Sequence, residues 1–201
     1  MKYISQNNEP DSFSHWKKHK PGVNWKAFSQ TEIYTELRKE LILQQQGMCC
    51  YCEIALKDEK DAHIEHLKDQ HNYSNERYNF NNLLASCKKT DSCGHKKGHG
   101  YFENMITPLE KNCQSHFTYT GRGQIIPKDE NDKIAQDTIK LLGLDCQRLR
   151  DRRLSIILAL KDCNIDYLNH SLAHCVKWHD GFYSVIEYVI IKNSLAKLIW
   201  V

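Results

Sequence analysis

The sequence predicts an α+β protein in which a small cysteine-rich core lies between an N-terminal helix and a C-terminal helical region. Three observations predict this class: five of the nine cysteines fall between residues 49 and 93, an apolar stripe with helical spacing precedes them, and further helical stripes follow from residue 131. We therefore divide the 201 residues into an arm and helix at 1–47, the cysteine-rich core at 48–110 and a helical region at 111–201.

The N-terminal helix is predicted over residues 30–46, after an irregular lead at residues 1–28. Ser29 and Glu32 match a capping box, in which the two side chains bond backbone N–H groups at the start of a helix. Apolar residues then recur every four positions, at Ile33, Leu37 and Leu41. Gly47 stands where helices commonly end, so this helix leads the chain to the first cysteines.

The cysteine-rich core shows little long periodicity and is rich in Asn, Lys, His and Cys. Two short strands are predicted, one from Lys60 to Leu67 and one from Asn82 to Cys87. A small segment of this composition has little apolar area to bury, so we expect bound ligands to hold it together.

Residues from 131 onward predict a bundle of helices. Asp132 can cap a helix that ends at Gly143, and Asp145 can cap the next one. Ser184 and Glu187 form a second capping-box match ahead of an apolar stretch. The whole tail at residues 182–201 is apolar, and we expect it to pack on the C-terminal core or, if exposed, to form a partner surface. We expect the helical region at 111–201 to be the partner-binding part of the chain.

Composition argues against a membrane protein and says little about the partner. The chain is 40% hydrophobic, has no run of about 18 apolar residues, and begins without the apolar segment of a secretion signal. We therefore expect a cytoplasmic protein. The 28 Lys and Arg against 25 Asp and Glu give a net charge of +3, which permits nucleic-acid binding without indicating it.

Four cysteines have a spacing that fits a structural zinc site. Cys49 and Cys52 form a C-x-x-C pair, and Cys87 and Cys93 supply a second pair 35 residues later. Disulfides are disfavoured in a reducing cytosol. Four thiolates around Zn²⁺ leave no position open for water, so the ion would contribute folding energy. The second pair is more widely spaced than usual, and Cys50 could replace Cys49 as a ligand.

The residues between and after the two cysteine pairs carry a second pattern. In chain order they are His63-Ile64-Glu65-His66, Asn82-Leu83 and His95-Lys96-Lys97. This order, over about residues 48–100, resembles the HNH endonucleases, whose fold is termed ββα-metal. The motifs Cys-x-Tyr-Cys-Glu, Asn-Leu-Leu-Ala-Ser-Cys and Ile-Thr-Pro-Leu-Glu also resemble the PtuB-type HNH nucleases of retron and Septu anti-phage systems.

The resemblance implies metal-dependent hydrolysis of phosphodiester bonds in nucleic acid. It makes His66 the general base, since an imidazole titrates near neutral pH. Glu65 and His95 would be the ligands of a catalytic Mg²⁺ or Mn²⁺ that neutralises the scissile phosphate. His63 shares a strand face with Glu65, so it is an alternative ligand or an additional one. His99 would share a helix side with His95 and is the alternative to that residue.

Further residues have supporting roles by resemblance. Asn82 would hold the loop between the strands and orient His66, with the adjacent asparagine as the alternative. Lys96 or Lys97 would contact the phosphate. Many relatives carry proline three residues after the base histidine, where this chain has Asp69, so we expect a different loop geometry.

The expected partners follow from charge and from the resemblance. Lysines near the proposed site favour a DNA or tRNA backbone, and an arginine-rich stretch at 148–153 would bind either nucleic acid or an acidic partner surface. PtuB-type nucleases are encoded beside a PtuA-type ATPase, so the resemblance implies that ATPase as a partner, together with a retron reverse transcriptase and its msDNA. The alternative function is a non-catalytic zinc-binding module that recruits nucleic acid or the ATPase.

Overall fold

The structure, a computed structural model, describes residues 1–161, 163 and 181–198, with the backbone alone for 195–198. Its helices and strands follow in chain order as α1 (Asp11–His19), α2 (Trp25–Phe28), α3 (Glu32–Gln44), β1 (Ala62–His66), β2 (Leu83–Cys87), α4 (Cys93–Lys97), β3 (Phe117–Tyr119), β4 (Ile125–Pro127), α5 (Lys133–Leu141), α6 (Gln147–Leu160) and α7 (Tyr183–Leu198). The predicted mixture of helices with small sheets is confirmed.

The centre of the fold is an antiparallel pair of strands, β1 and β2, which matches the two predicted strands. Ala62 pairs with Cys87 and His66 with Leu83, so the loop between the strands leaves from the His66 end. Every residue of β2 is buried, because α3 and the short helix α4 both pack against it. This order of two strands and a helix places Cys87 at the end of β2 and Cys93 at the start of α4.

The N-terminal segment is more ordered than the irregular lead that the sequence predicted. Residues 11–19 and 25–28 are helical, and a cluster of aromatic rings holds the two helices together. The Trp16 ring centroid lies 4.4 Å from that of Phe28 and 5.4 Å from that of Tyr78. Because Tyr78 comes from the loop between the strands, no local pattern predicts this contact.

The helix predicted over residues 30–46 is present as α3, but its cap is not the predicted one. Ser29 closes α2 instead, and Thr31 caps α3 by accepting a hydrogen bond from the Tyr34 backbone N–H at 3.2 Å. The chain leaves the helix through Gly47, whose φ of +76° favours glycine. Its N–H donates to the Ile42 carbonyl at 2.8 Å.

The C-terminal helices confirm one predicted cap and correct another. Asp132 caps α5 by accepting a hydrogen bond from the Ala135 backbone N–H at 2.9 Å. Asp145 does not cap α6. Its carboxylate accepts a hydrogen bond from the Ile125 N–H at 3.1 Å and pairs with Arg150 at 2.5 Å, so it ties the short β3–β4 hairpin to α6.

The Ser184–Glu187 capping box is wrong, because both side chains bind residues distant in sequence. The Ser184 hydroxyl and backbone N–H donate to the carboxylate of Glu53, at 2.5 and 2.9 Å. Glu187 accepts from the side chain of Gln114. These contacts attach α7 to the segment that follows the first cysteine pair. The last residues of the predicted apolar tail, 199–201, lie outside the described part of the chain.

One core cluster draws on all three predicted segments. Phe13 and Leu41 come from the first, Leu84 from the second, and Leu142 and Leu149 from the third. The three segments therefore pack against one another in this cluster. The segment boundaries at 47 and 110 stay a prediction. Within the described residues, no helix has the length and apolarity needed to cross a bilayer.

Candidate metal centre and active site

The four predicted cysteine ligands lie together. The Sγ atoms of Cys49, Cys52, Cys87 and Cys93 are all within 4.8 Å of one another, and all four residues are buried. The first pair lies on the turn after α3, while Cys87 ends β2 and Cys93 begins α4. The long spacing of the second pair is therefore taken up by a loop between strand and helix.

This cluster fits a tetrahedral zinc ion. Two Zn–S bonds of about 2.3 Å at a tetrahedral angle place the sulfurs about 3.8 Å apart, and the Sγ atoms of Cys52 and Cys87 are 3.9 Å apart. The Cys87 backbone N–H donates to the Cys49 sulfur at 3.3 Å, as suits a thiolate. Cys50, the alternative ligand, lies outside this group of four, and burial raises the pKa of its thiol well above the usual value.

A second group of side chains lies beside the cysteines and contains Glu65, His63 and His95. Glu65 Oε2 is 3.2 Å from His63 Nε2, and the ring centroids of His63 and His95 are 4.5 Å apart. Glu65 and His63 project from the same face of β1, while His95 lies on α4. The structure thus brings together the two predicted ligands and the predicted alternative.

Gly94 leaves the space that these three side chains occupy. A Cβ atom at this position would lie 2.3 Å from Glu65 Oε2 and 2.6 Å from His63 Nε2. The sequence predicted no role for Gly94, although it stands between Cys93 and His95 in the recognised motif. Any larger residue there would push the carboxylate and the imidazole out of position.

The chemistry of this second group fits a hard or borderline divalent cation. It offers a carboxylate oxygen and imidazole nitrogens, which suit Mg²⁺, Mn²⁺ and Zn²⁺ to different degrees. The buried Nδ1 atom of His63 has no hydrogen-bond partner among the described residues, so the ring is incompletely satisfied. His95 is exposed, and desolvation lowers its pKa, which favours the neutral form that binds metals.

Lys97 is placed differently from the prediction. Its side chain is 1% exposed, and its ammonium lies 3.0 Å from Glu65 Oε1. It also donates to the backbone carbonyls of His66 and Leu67, at 3.0 and 3.3 Å. The predicted phosphate contact is wrong for Lys97, because the ammonium is used inside the protein. Lys96 is exposed, and its phosphate contact stays a prediction.

Two curated relatives share sequence similarity with the chain. It is 24% identical to the Escherichia coli protein named "Retron Ec83 putative HNH endonuclease", over 96% of this chain and 95% of that protein. It is 32% identical to the Septu protein PtuB of Bacillus thuringiensis, over 54% of this chain and 42% of that protein. The resemblance to PtuB-type HNH nucleases is confirmed. No family model matches the chain.

Asn82, the asparagine of the HNH pattern, fastens the loop between β1 and β2. Its Oδ1 accepts from the Lys68 N–H at 2.7 Å, and its Nδ2 donates to the carbonyls of Lys68 and Glu76 at 2.9 and 3.1 Å. The side chain is buried, whereas the alternative, Asn81, is exposed. This geometry suits the predicted role of holding the loop.

The HNH pattern makes His66 the general base. Its ring contacts the loop between β1 and β2 and the helix α2. Its Nε2 donates to the Arg77 carbonyl at 3.0 Å, and its ring packs edge-on against Trp25 with centroids 4.2 Å apart. Burial lowers the pKa of His66 to about 4, below the near-neutral value from which its role as base was predicted, and the ring is neutral near pH 7. His63, and not His66, is the histidine whose ring contacts His95.

Asp69 and His99 form a pair at the edge of the site. His99 Nδ1 is 3.0 Å from Asp69 Oδ1, and His99 is largely exposed. Burial tends to raise the pKa of Asp69, but hydrogen bonds from the Asn72 side chain and backbone, from His99 and from the His71 N–H hold it at about 2. His99, the alternative to His95, is therefore engaged with the loop.

The arginine-rich stretch lies on α6 and is mostly engaged within the protein. Arg148 pairs with Asp91 at 2.8 Å, Arg150 pairs with Asp145 at 2.5 Å, and Arg153 donates to the Gly123 and Leu144 carbonyls at 3.3 and 2.7 Å. Of these three side chains, only that of Arg153 is buried, and the two predicted uses of the stretch stay predictions. Arg152 is exposed and keeps both open.

Proposed function

We propose that the protein is a metal-dependent HNH endonuclease that hydrolyses phosphodiester bonds of DNA or tRNA in a retron or Septu type of anti-phage defence. The observation that carries this proposal is the convergence of His63, Glu65 and His95 beside the buried four-cysteine cluster, on a β1–β2–α4 unit. The name of the retron Ec83 relative supports the same activity, and the name of the Septu protein PtuB supports the type of defence system.

In this proposal, Glu65 and His95 hold a catalytic Mg²⁺ or Mn²⁺, with His63 as an additional ligand. The ion supplies positive charge that stabilises the phosphate and the leaving oxygen. Glu65 Oε2 and His63 Nε2 are 3.2 Å apart and face the same space, which supports their joint use. The exposed side chains of Lys88, Lys89 and Lys96 would attract the nucleic-acid backbone to this side of the protein.

His66 would take the proton of the attacking water in this mechanism. Because the Arg77 carbonyl can only accept a hydrogen bond, His66 Nε2 carries the proton and Nδ1 is left free to accept one. Asn82 binds the carbonyl of Glu76, the residue next to Arg77, and so supports the position of the carbonyl that orients His66.

The test is cleavage by the purified full-length protein. We expect cleavage of DNA or of tRNA with Mn²⁺ and none with a chelator of the catalytic ion. His66→Ala should lower the rate at least about 100-fold, in keeping with the loss of a general base, while the zinc content and the far-UV circular dichroism spectrum of the folded protein stay unchanged. Cyclic-phosphate ends on RNA products would show that a 2′-hydroxyl replaces water as the nucleophile.

Two results would contradict the proposal. A His66→Ala variant that cuts at the wild-type rate would remove His66 as the base, and the ring contact between His63 and His95 would then make His63 the residue to test. A wild-type protein that binds zinc and never cuts would favour the non-catalytic zinc-binding module. Co-purification with a PtuA-type ATPase, or with a reverse transcriptase and its msDNA, would test the proposed partners.

A further inference from the structure

Tyr51 lies in the turn between Cys49 and Cys52, which is the first half of the cysteine cluster. The residue is 1% exposed, so its side chain points into the protein. Its hydroxyl donates a hydrogen bond to Glu65 Oε1 at 3.2 Å. The two residues on either side of Tyr51 belong to the cysteine-rich turn, while Glu65 belongs to the second group of side chains.

The two oxygens of the Glu65 carboxylate have different surroundings. Oε1 accepts from the Tyr51 hydroxyl and pairs with Lys97 at 3.0 Å. Oε2 faces His63 Nε2 at 3.2 Å and the backbone of Gly94. One oxygen is therefore held by two donors from the protein, and the other is turned toward the histidines.

We propose that Tyr51 is a positioning residue that links the four-cysteine cluster to the carboxylate of Glu65. This inference rests on the proposed function, in which Glu65 is a ligand of the catalytic ion. The hydroxyl holds Oε1 and so keeps Oε2 directed at the space shared with His63. Partners that orient a metal ligand typically contribute 10- to 100-fold to metal affinity. Without the hydroxyl, Lys97 is the one remaining described partner of Oε1, and the carboxylate gains freedom to rotate.

The experiment compares Tyr51→Phe with wild type and with a matched control, Tyr34→Phe. The Tyr34 hydroxyl accepts a hydrogen bond from the Ile64 N–H on the same strand at 3.4 Å, without contacting Glu65. Mn²⁺ binding to the zinc-loaded full-length proteins is measured directly by electron paramagnetic resonance, and zinc content by elemental analysis. We expect the Kd for Mn²⁺ to rise about 10-fold in Tyr51→Phe, with no change in Tyr34→Phe and full zinc content in both.

Each other outcome overturns the inference in a recognisable way. An unchanged Mn²⁺ affinity in Tyr51→Phe removes the positioning role while the proposed nuclease stands. Loss of zinc together with Mn²⁺ binding shows that Tyr51 only supports the fold of the cysteine-rich turn. A wild-type protein that binds zinc but no Mn²⁺ at millimolar concentration removes the proposed function, and this inference with it.

Discussion

Lys96 and Lys97 are adjacent on α4, yet their side chains have different surroundings. One is exposed on α4, while the other is buried and pairs with Glu65. Adjacent side chains on a helix point in different directions, so only one of the two lysines faces the protein interior. The sequence alone does not determine how α4 is rotated about its axis against the strands. Tyr51 and Gly94 also lie within the motifs found in the sequence, but no role was predicted for either of them. Their contacts with Glu65 depend on how the cysteine-rich turn and α4 pack against β1.

The two neighbouring lysines allow a matched prediction. Lys97→Met should lower the free energy of unfolding by about 3 kcal/mol, because it leaves the Glu65 carboxylate buried without its charged partner. Lys96→Met should change stability by less than about 0.5 kcal/mol, yet reduce the slope of log K against log salt for nucleic-acid binding by about 1. Urea denaturation and a salt titration of DNA binding measure the two effects. Equal stability of both variants would show that the contact between Lys97 and Glu65 contributes nothing.

At the scale of elements, short-range patterns were sufficient where the partners are local. The two strands, the Asp132 cap and the loop role of Asn82 all depend on residues a few positions apart or on a recognised motif. The predictions failed where a distant partner decides the structure. Helices α1 and α2 need the ring of Tyr78, and Ser184 bonds Glu53 in place of a capping partner.

The loop after β1 carries a pH-dependent prediction through Asp69. Its pKa is about 2 against an ordinary 3.8, so the folded state favours the ionised form. This contribution is fully present above about pH 4 and is lost as the pH falls toward 2. At pH 5, Asp69→Asn should be less stable than wild type by about 1 kcal/mol. Because the variant lacks this carboxylate, the difference should shrink by pH 3. Urea denaturation at both values measures it, and a constant difference would show that Asp69 contributes without its charge.

At the scale of the whole molecule, the C-terminal helices support the cysteine cluster. The Cys93 N–H donates to the Leu142 carbonyl at 2.7 Å, just beyond the end of α5. Arg148 on α6 donates to both carboxylate oxygens of Asp91, at 2.8 and 3.1 Å, and to the hydroxyl of Ser92 at 2.7 Å. The residues that lead into α4 are thus held in place by hydrogen bonds from the C-terminal helical region, which the sequence analysis placed in a separate segment.

This arrangement predicts that a substitution on α6 alters zinc retention at the cysteine cluster. Arg148→Met removes the contacts to Asp91 and Ser92, and should cost about 1 kcal/mol, since the pair is partly exposed. The segment that carries Cys93 should then move away from the other three cysteines more often. The variant should therefore transfer zinc to a chromogenic chelator several-fold faster than the wild-type protein does. Arg152→Met, on the exposed side of the same helix, should release zinc at the wild-type rate. If both variants matched wild type, the cysteine cluster would retain zinc without help from α6.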